Sequence, residues 1–275
     1  MRKFITLSLV ATAVCATFAV GAAEACTPSR EFTTMKPGVL TIAAQTYRPY
    51  SITQPDGSVT GVDGEILKEI AKRECLTIET ISVDAAAALN YVQTGKADIT
   101  VGDWYRTKAR SEVLNMSDPL YVDQMGIVSK DGTTKLSDLE GAMVGTVQSN
   151  LWVPDLKKLY GSNLKLYPVL AQVQQDLKNG RIEAFVESYS IAVLSEEAGE
   201  LEGFKAAVAE ADERVSSSKL PGQGAFPLNK ENTSLLEVVN ANIAELHANG
   251  FIKETLVKFG LDASAAEAGE PRWLE

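Results

Sequence analysis

The pattern of apolar and polar positions divides the chain into two stretches that share an order of elements. Leu40 to Ala44 is a short β-prone run. It is closed by Tyr47-Arg48-Pro49-Tyr50, a loop in which Pro49 forbids a helix. After a turn at Pro55-Asp56-Gly57, Asp63 stands where a cap belongs, and Ile66, Leu67, Ile70 and Ala71 then fall on one helical face. Thr77 to Val83 reads as a strand. Asp84 caps a second helix that runs through four alanines to Val92 and stops at Gly95, and Ile99 to Val101 is a third strand. This β-α-β-α-β order predicts a parallel sheet with covering helices.

Tyr121 to Lys130 reads as one long strand leaving that unit, and Lys135 to Gly141 as a turn before a second unit. The second unit has strands expected near Met143, Lys165 and Ala184, with helices near Leu151–Leu159 and Gln172–Lys178. Pro221-Gly222-Gln223-Gly224 is expected to be a return hinge. Thr233 to His247 is an amphipathic helix ending at Asn249-Gly250, and Ile252 to Phe259 is another. The tail from Ala263 is polar and expected to be frayed.

The two units echo one another residue by residue. Gly95-Lys96-Ala97-Asp98 precedes one strand, and Gly180-Arg181-Ile182-Glu183 precedes another 85 residues later. Each is a helix end, a Gly, a basic residue, a small or apolar residue and an acid. The openings Gly38–Ala43 and Gly141–Val147 also correspond. Two similar α/β units imply two lobes with a cleft between them, where small ligands bind. The expected division is residues 38–120 plus 225–262 for lobe 1, 127–220 for lobe 2 and 263–275 for a polar tail.

Composition changes the picture at the chain's ends. Arg2 and Lys3, a largely apolar run from Phe4 to Val20 and Ala23-Glu24-Ala25 read as a cleavable export signal over residues 1–25. No later segment has the ~18 consecutive apolar residues of a spanning helix. Without the signal, 24 basic and 35 acidic residues remain, a net charge of −11. Such a surface repels nucleic acid and anionic membrane. Cys15 leaves with the signal, so Cys26 and Cys75 form an even pair in an exported chain, which predicts one disulfide. Topology favours the pairing: Cys75 ends the first helix, and Cys26 precedes the strand at the same sheet edge. Two free thiols and a lipidated Cys26 are the alternatives; Ala23-Glu24-Ala25 lacks the usual apolar lead-in for a lipid anchor.

Tyr47-x-Pro49-Tyr50, Gly61-Val62-Asp63, Gly95-Lys96-Ala97-Asp98, the stretch from Thr107 through Arg110 to Ser117-Asp118-Pro119, and Gly180-Arg181-Ile182-Glu183 fall in order at familiar spacings. Together they resemble the family-3 periplasmic solute-binding proteins, the amino-acid-type receptors of ABC importers, over roughly residues 38–262. The resemblance implies an α/β, two-lobe hinged periplasmic binding protein fold (type II, Venus-flytrap) closing over one small solute. It implies a periplasmic monomer that delivers its solute to an inner-membrane ABC permease. Arg110, seven residues before Ser117-Asp118-Pro119, matches the family's carboxylate clamp, for which a guanidinium fork is suited. Tyr47 matches the aromatic that packs on the ligand side chain.

The chain departs from the family's pattern at several places. Gly102-Asp103-Trp104-Tyr105-Arg106 puts an acid and two aromatics where small hydroxyl residues are usual. Ala85 stands where an aromatic wall is expected, and Trp104 is the candidate to fill that gap. Ser149-Asn150-Leu151, then Trp152, replaces a Gly-Thr-Thr. Ser188 aligns with the family's amine-binding Asp, so Asp103 or Glu187 is the candidate replacement. One wall is therefore expected to carry Tyr47, Asp103, Trp104, Tyr105 and Arg110, and the other Ser149, Asn150, Glu187 and Ser188. Trp104 and Trp152 have core packing as the alternative role.

An Arg, nearby acids and aromatics favour a carboxylate or zwitterionic solute over a sugar or a metal ion. The sequence contains no Ser-His-Asp set and no phosphate loop, and its only histidine is His247, on the C-terminal helix. No catalytic residue, metal or cofactor is expected. Two other functions occur among relatives. One is a secreted dehydratase of the cyclohexadienyl type, with Arg110 holding a carboxylate and Glu187 moving a proton. The other is an accessory protein of a periplasmic redox enzyme, which would show a blocked cleft and a broad apolar outer patch.

Overall fold

The computed structural model describes residues 26–274. The export signal expected over residues 1–25 lies outside them, as does Glu275.

Two five-stranded sheets are built on one plan. In the first, Val39–Ala44 lies between Thr77–Ser82 and Ile99–Val101, parallel to both. Pro227–Asn229 then runs antiparallel to the third strand, and Leu114–Met116 closes the edge. In the second, Val144–Val147 lies between Leu164–Tyr167 and Ala184–Ser188, again parallel to both. Met125–Ser129 runs antiparallel beside Ala184–Ser188, and Lys205–Val208 is its outer neighbour. The fold is α/β with two sheet-containing lobes, the type II two-lobe arrangement.

The echoed motifs do the same work in each lobe. Gly95 and Gly180 both take the left-handed conformation, with φ of 67° and 68°, that ends the preceding helix. The acid that follows then joins the third strand to the first. The Asp98 N–H donates to the Thr41 carbonyl at 2.9 Å, and the Glu183 N–H to the Met143 carbonyl at 2.8 Å. The Asp98 carboxylate also accepts from the Thr41 and Met35 N–H groups.

Several expectations are corrected. Asp63 does not cap its helix. Gly61 is the cap residue of Val62–Arg73, at φ 95°, and a Cβ there would meet the Tyr50 carbonyl oxygen at 2.5 Å. The strand expected from Tyr121 to Lys130 is two strands, Tyr121–Asp123 and Met125–Ser129, broken at Gln124. Its first half pairs with Gly222–Ala225 in a third sheet that also holds Trp104–Tyr105, and its second half belongs to the second five-stranded sheet. A helix at Tyr189–Glu197, capped by the Ser188 hydroxyl, was not anticipated.

The tail is not frayed. Gln223 donates to the carbonyls of Ala268 and Glu270 and accepts from the Arg272 N–H at 2.8 Å. Leu274 bridges Thr107, with hydrogen bonds to Arg106 and Lys108, and is buried in the cluster around Ile127, Val144 and Leu156. The Arg106 guanidinium lies 4.2 Å from the Trp273 ring. A polar composition concealed the few residues that anchor it.

Cys26 and Cys75 form the expected disulfide, with Cα atoms 5.7 Å apart. Beside it, the buried Glu74 carboxylate accepts from the Ser29 N–H and hydroxyl and from the Asn242 amide, so the N-terminal arm is held by polar contacts as well.

Candidate ligand-binding cleft

A cavity of about 950 Å³ opens where the ends of the parallel strands of both lobes meet. Tyr47, Asp103, Trp104, Tyr105 and Arg110 line it from the first-lobe side, and Ser149 and Asn150 from the second. Glu187 and Ser188 are fully buried and do not line it. Of the nine expected site residues, these two stand behind the residues that form the lining.

The loop from Gly102 to Arg106 is set by Asp63, which reaches up from the first helix. One Asp63 oxygen accepts from the Gly102 N–H at 2.8 Å and the Asp103 N–H at 3.1 Å, and the other accepts from the Tyr121 hydroxyl at 2.7 Å. Burial raises the Asp63 carboxyl to about 6 against these hydrogen bonds, which hold it down. So held, Asp103 takes a left-handed φ of 56°, which a short polar side chain tolerates better than most.

Asp103 is buried, and its Oδ1 has no partner among the described residues. Burial and then the charges of Asp123 and Asp63 push its carboxyl well above the usual range. A buried polar atom left without a partner is costly unless something else completes it.

Arg110 stands in the short helix Lys108–Val113, capped by the Thr107 hydroxyl. One guanidinium N–H donates to the Tyr105 carbonyl at 2.8 Å, and the group sits 5.1 Å from the Trp104 ring centre. Burial lowers its pKa to about 10, against the opposing charge of Asp103. It stays cationic at neutral pH and has N–H groups to spare for an anion.

Trp104 does two things. It packs in the cluster with Ala43, Ala88 and Val92, against Val83 and Ala85, so it occupies the space beside the small Ala85. It also presents surface to the cavity. Trp152 likewise lines the cavity while its indole N–H donates to Thr146 at 2.8 Å.

Glu187 joins the lobes from behind the cavity wall. Its Oε1 accepts from the Tyr47 hydroxyl at 2.5 Å, the Asn150 amide at 3.1 Å and the Ser188 N–H at 2.8 Å. Burial raises the carboxyl to about 7 despite these three donors. Tyr47 in turn stacks along Tyr50 and Tyr121, with ring centres 6.4 and 4.8 Å apart in succession.

The Ser188 hydroxyl donates to Asp123, which also accepts from Tyr105 at 3.1 Å and Ser190 at 2.8 Å. Sequence reasoning missed Asp123. The available signal was an acid two residues after Tyr121, on the same strand face as that buried aromatic. His247 lies apart, 3.0 Å from the Pro119 carbonyl.

The sequence profile of the bacterial extracellular solute-binding proteins, family 3, matches residues 40–262. The chain belongs to this family. It is 25% identical to a probable histidine-binding protein of Campylobacter jejuni over 227 residues, which cover 80% of this chain and 83% of that protein. It is 24% identical to the arginine-binding extracellular protein ArtP of Bacillus subtilis over 265 residues, 94% of this chain and 98% of the other. A histidine-bound substrate-binding protein of an ABC uptake transporter from Streptococcus pneumoniae shares the fold. Its TM-score is 0.72 at 21% identity, over 83% of this chain and 95% of that one. This family-3 protein thus has a two-lobe frame in common with its relatives.

Proposed function

We propose that this protein captures a small carboxylate or zwitterionic solute, an amino acid or a derivative of one, in the periplasm and delivers it to an inner-membrane ABC importer. The observation that carries the reading is that Arg110 and the buried Asp103, whose Oδ1 has no hydrogen bond, line one cavity between two lobes. Arg110 would hold the solute's carboxylate. Asp103 would take its amine, whose positive charge favours the ionised carboxylate that burial and the neighbouring acids disfavour in the empty cleft, with the Trp104 and Tyr47 rings beside it; a ring face attracts a cation by about 0.5–2 kcal/mol. Ser149 and Asn150 would complete the site from the second lobe, with Glu187 and Ser188 bracing it. Names such as histidine-binding and arginine-binding among the relatives support this solute class without choosing a member.

The moving bodies in this reading are residues 38–120 with 225–262, and residues 127–220. They work as a monomer after removal of residues 1–25. A thermal-shift screen of residues 26–275 against amino acids, opines, betaines, aromatic acids and polyamines identifies the solute, since a ligand at 100 times its Kd adds about 2.7 kcal/mol. Arg110→Ala should then weaken binding of that solute by about 2–5 kcal/mol. Unchanged affinity in calorimetry removes Arg110 from the site.

One observation favours a second reading, a dehydratase on the same frame. Asp103 holds its proton unusually firmly and lines the cavity near Arg110, an arrangement fit for protonating a leaving hydroxyl. Release of water from a carboxylated cyclohexadienyl alcohol, lost in Asp103→Asn, is its test. The open cavity lacks the side-chain blockage that an accessory protein of a redox enzyme would show.

A further inference from the structure

Four acids meet at and behind the cavity wall. Asp63 comes from the helix Val62–Arg73, Asp103 from the turn before Trp104–Tyr105, Asp123 from the end of Tyr121–Asp123, and Glu187 from Ala184–Ser188. Asp103 feels the charges of the other three, and the Arg110 guanidinium faces it as the opposing charge. Buried like charges that interact in this way cannot all ionise. The tyrosines that face the group do not add to the charge. Tyr47, Tyr50, Tyr105 and Tyr121 are all pushed above their ordinary range, by burial first and then by these acids, and keep their protons. Arg48, Asp84 and Glu200 also line the cavity but are exposed to water, which screens them.

The hydrogen-bond donors are divided unequally among the four. Asp63 accepts from the Gly102 and Asp103 N–H groups and the Tyr121 hydroxyl. Asp123 accepts from the hydroxyls of Tyr105, Ser188 and Ser190 and from the Gln124 N–H. Glu187 accepts from the Tyr47 hydroxyl, the Asn150 amide and the Ser188 N–H. Each of these donors favours the charged carboxylate. Asp103 differs. Among the described residues nothing donates to its Oδ1, and its side-chain hydrogen bond is to the Asp123 carboxyl. Two carboxyl groups hydrogen-bond only when one of them carries a proton. Asp123, already held by its own donors, is the acceptor of the two, which leaves the proton on Asp103.

Resting on the function proposed above, we propose that the cleft recognises an ammonium by exchange: before binding, one proton lies between Asp103 and Asp123, and the solute's ammonium takes its place while that proton passes to water. The ammonium supplies the buried Asp103 oxygen with the donor that no described residue gives it. The bound state then holds fewer protons than the free state, so raising the pH favours it. Affinity rises by up to about tenfold per pH unit until Asp103 ionises without help. A neutral hydroxyl in place of the amine leaves the proton where it is. Asp103 thus selects for charge, and Asp123 is its positioning residue.

The test has two parts. Infrared spectra of residues 26–275 at pH 7, without solute, are compared with those of Asp103→Asn. The parent should show the carbonyl stretch of a protonated carboxyl that the variant lacks. Loss of a carboxylate band instead overturns the inference. Calorimetry at pH 7 in phosphate and in Tris then uses the standard amino acids as probes. For those that bind, the heats in the two buffers should differ by the ionisation of about one buffer molecule per solute, and the difference should vanish in Asp103→Asn. Equal heats in both buffers, or a difference that survives in the variant, overturn the inference while the amino-acid site stands. If Asp103→Asn does not fold, the parent decides alone: an affinity that fails to rise from pH 5 to pH 7 overturns it. If no amino acid binds and Arg110→Ala alters no solute's affinity, the proposed function falls and the exchange with it.

Discussion

Glu187 shows how one buried group can set a pH dependence. The carboxyl ionises near 4.5 in an unfolded chain and near 7 here, with burial as the largest cause. Between these values the folded protein holds a proton that the unfolded chain has released. The contribution is therefore fully present below about pH 4.5 and is lost as pH rises toward 7. A shift of this size corresponds to about 3 kcal/mol at most. Glu187→Gln keeps an acceptor for the Tyr47 hydroxyl but cannot ionise. Urea unfolding at pH 4.5 and at pH 7.5 should show a smaller loss of stability in the variant than in the parent. An equal loss in both would assign the pH dependence to other carboxyls, Asp63 and Asp103 first, since both are raised by burial.

At the scale of elements, the glycines of the strand Gly222–Ala225 are there for space. A Cβ on Gly222 would stand 2.5 Å from the Tyr105 ring, and one on Gly224 only 2.3 Å from the Tyr121 ring. Both rings lie on the strand, and both hydroxyls serve the acids behind the cleft. Gly224→Ala should lower stability by about 1–3 kcal/mol through overpacking, measured by thermal melting. The C-terminal segment is the second element with a consequence. It ties Gln223 of that strand to Arg106, four residues before Arg110 in sequence. Truncation after Gly269 removes Leu274 from a buried position, and burying such a side chain is worth about 1.5–3 kcal/mol. A melting temperature unchanged by the truncation would show that the segment adds nothing to the fold.

At the scale of the molecule, the chain crosses between lobes at Gln124 and again between Val208 and Gly222, with the three-stranded sheet at the junction. The Tyr47–Glu187 hydrogen bond spans the cleft from one lobe to the other. The Cys26–Cys75 bond closes a loop of 49 residues entirely within the first lobe and its N-terminal arm. In the chain-entropy model a loop of this length contributes about 4 kcal/mol. Replacing both cysteines by serine should lower stability by about 2–4 kcal/mol while leaving solute affinity nearly unchanged, because neither residue lines the cleft. A large loss of affinity at a temperature where the variant is still folded would contradict that separation.

The β-α-β-α-β order that opens each unit, the duplicated plan and the cysteine pair are legible in the sequence, because each rests on a local signal. Apolar spacing marks faces, Asp84 and Gly95 mark ends, and Gly180-Arg181-Ile182-Glu183 repeats a junction that any such lobe must make. Arg110 and Tyr47 are expected at the cleft because they match the family's motifs, and Asp103 and Asn150 because they stand where the chain departs from its pattern. The tertiary structure alone decided that Asp103 lines the cavity while Glu187 lies behind it. Glu187 and Ser188 are neighbours on a strand whose residues are all buried, so alternation could not assign either to the surface. Asp63 looked like a cap, yet the loop it holds begins 39 residues away, at Gly102. The tail looked frayed because its contacts, with Gln223 and Arg106, come from residues distant in sequence. Periodicity reports what a residue does within its own element; contacts between distant elements exist only once the chain has closed on itself.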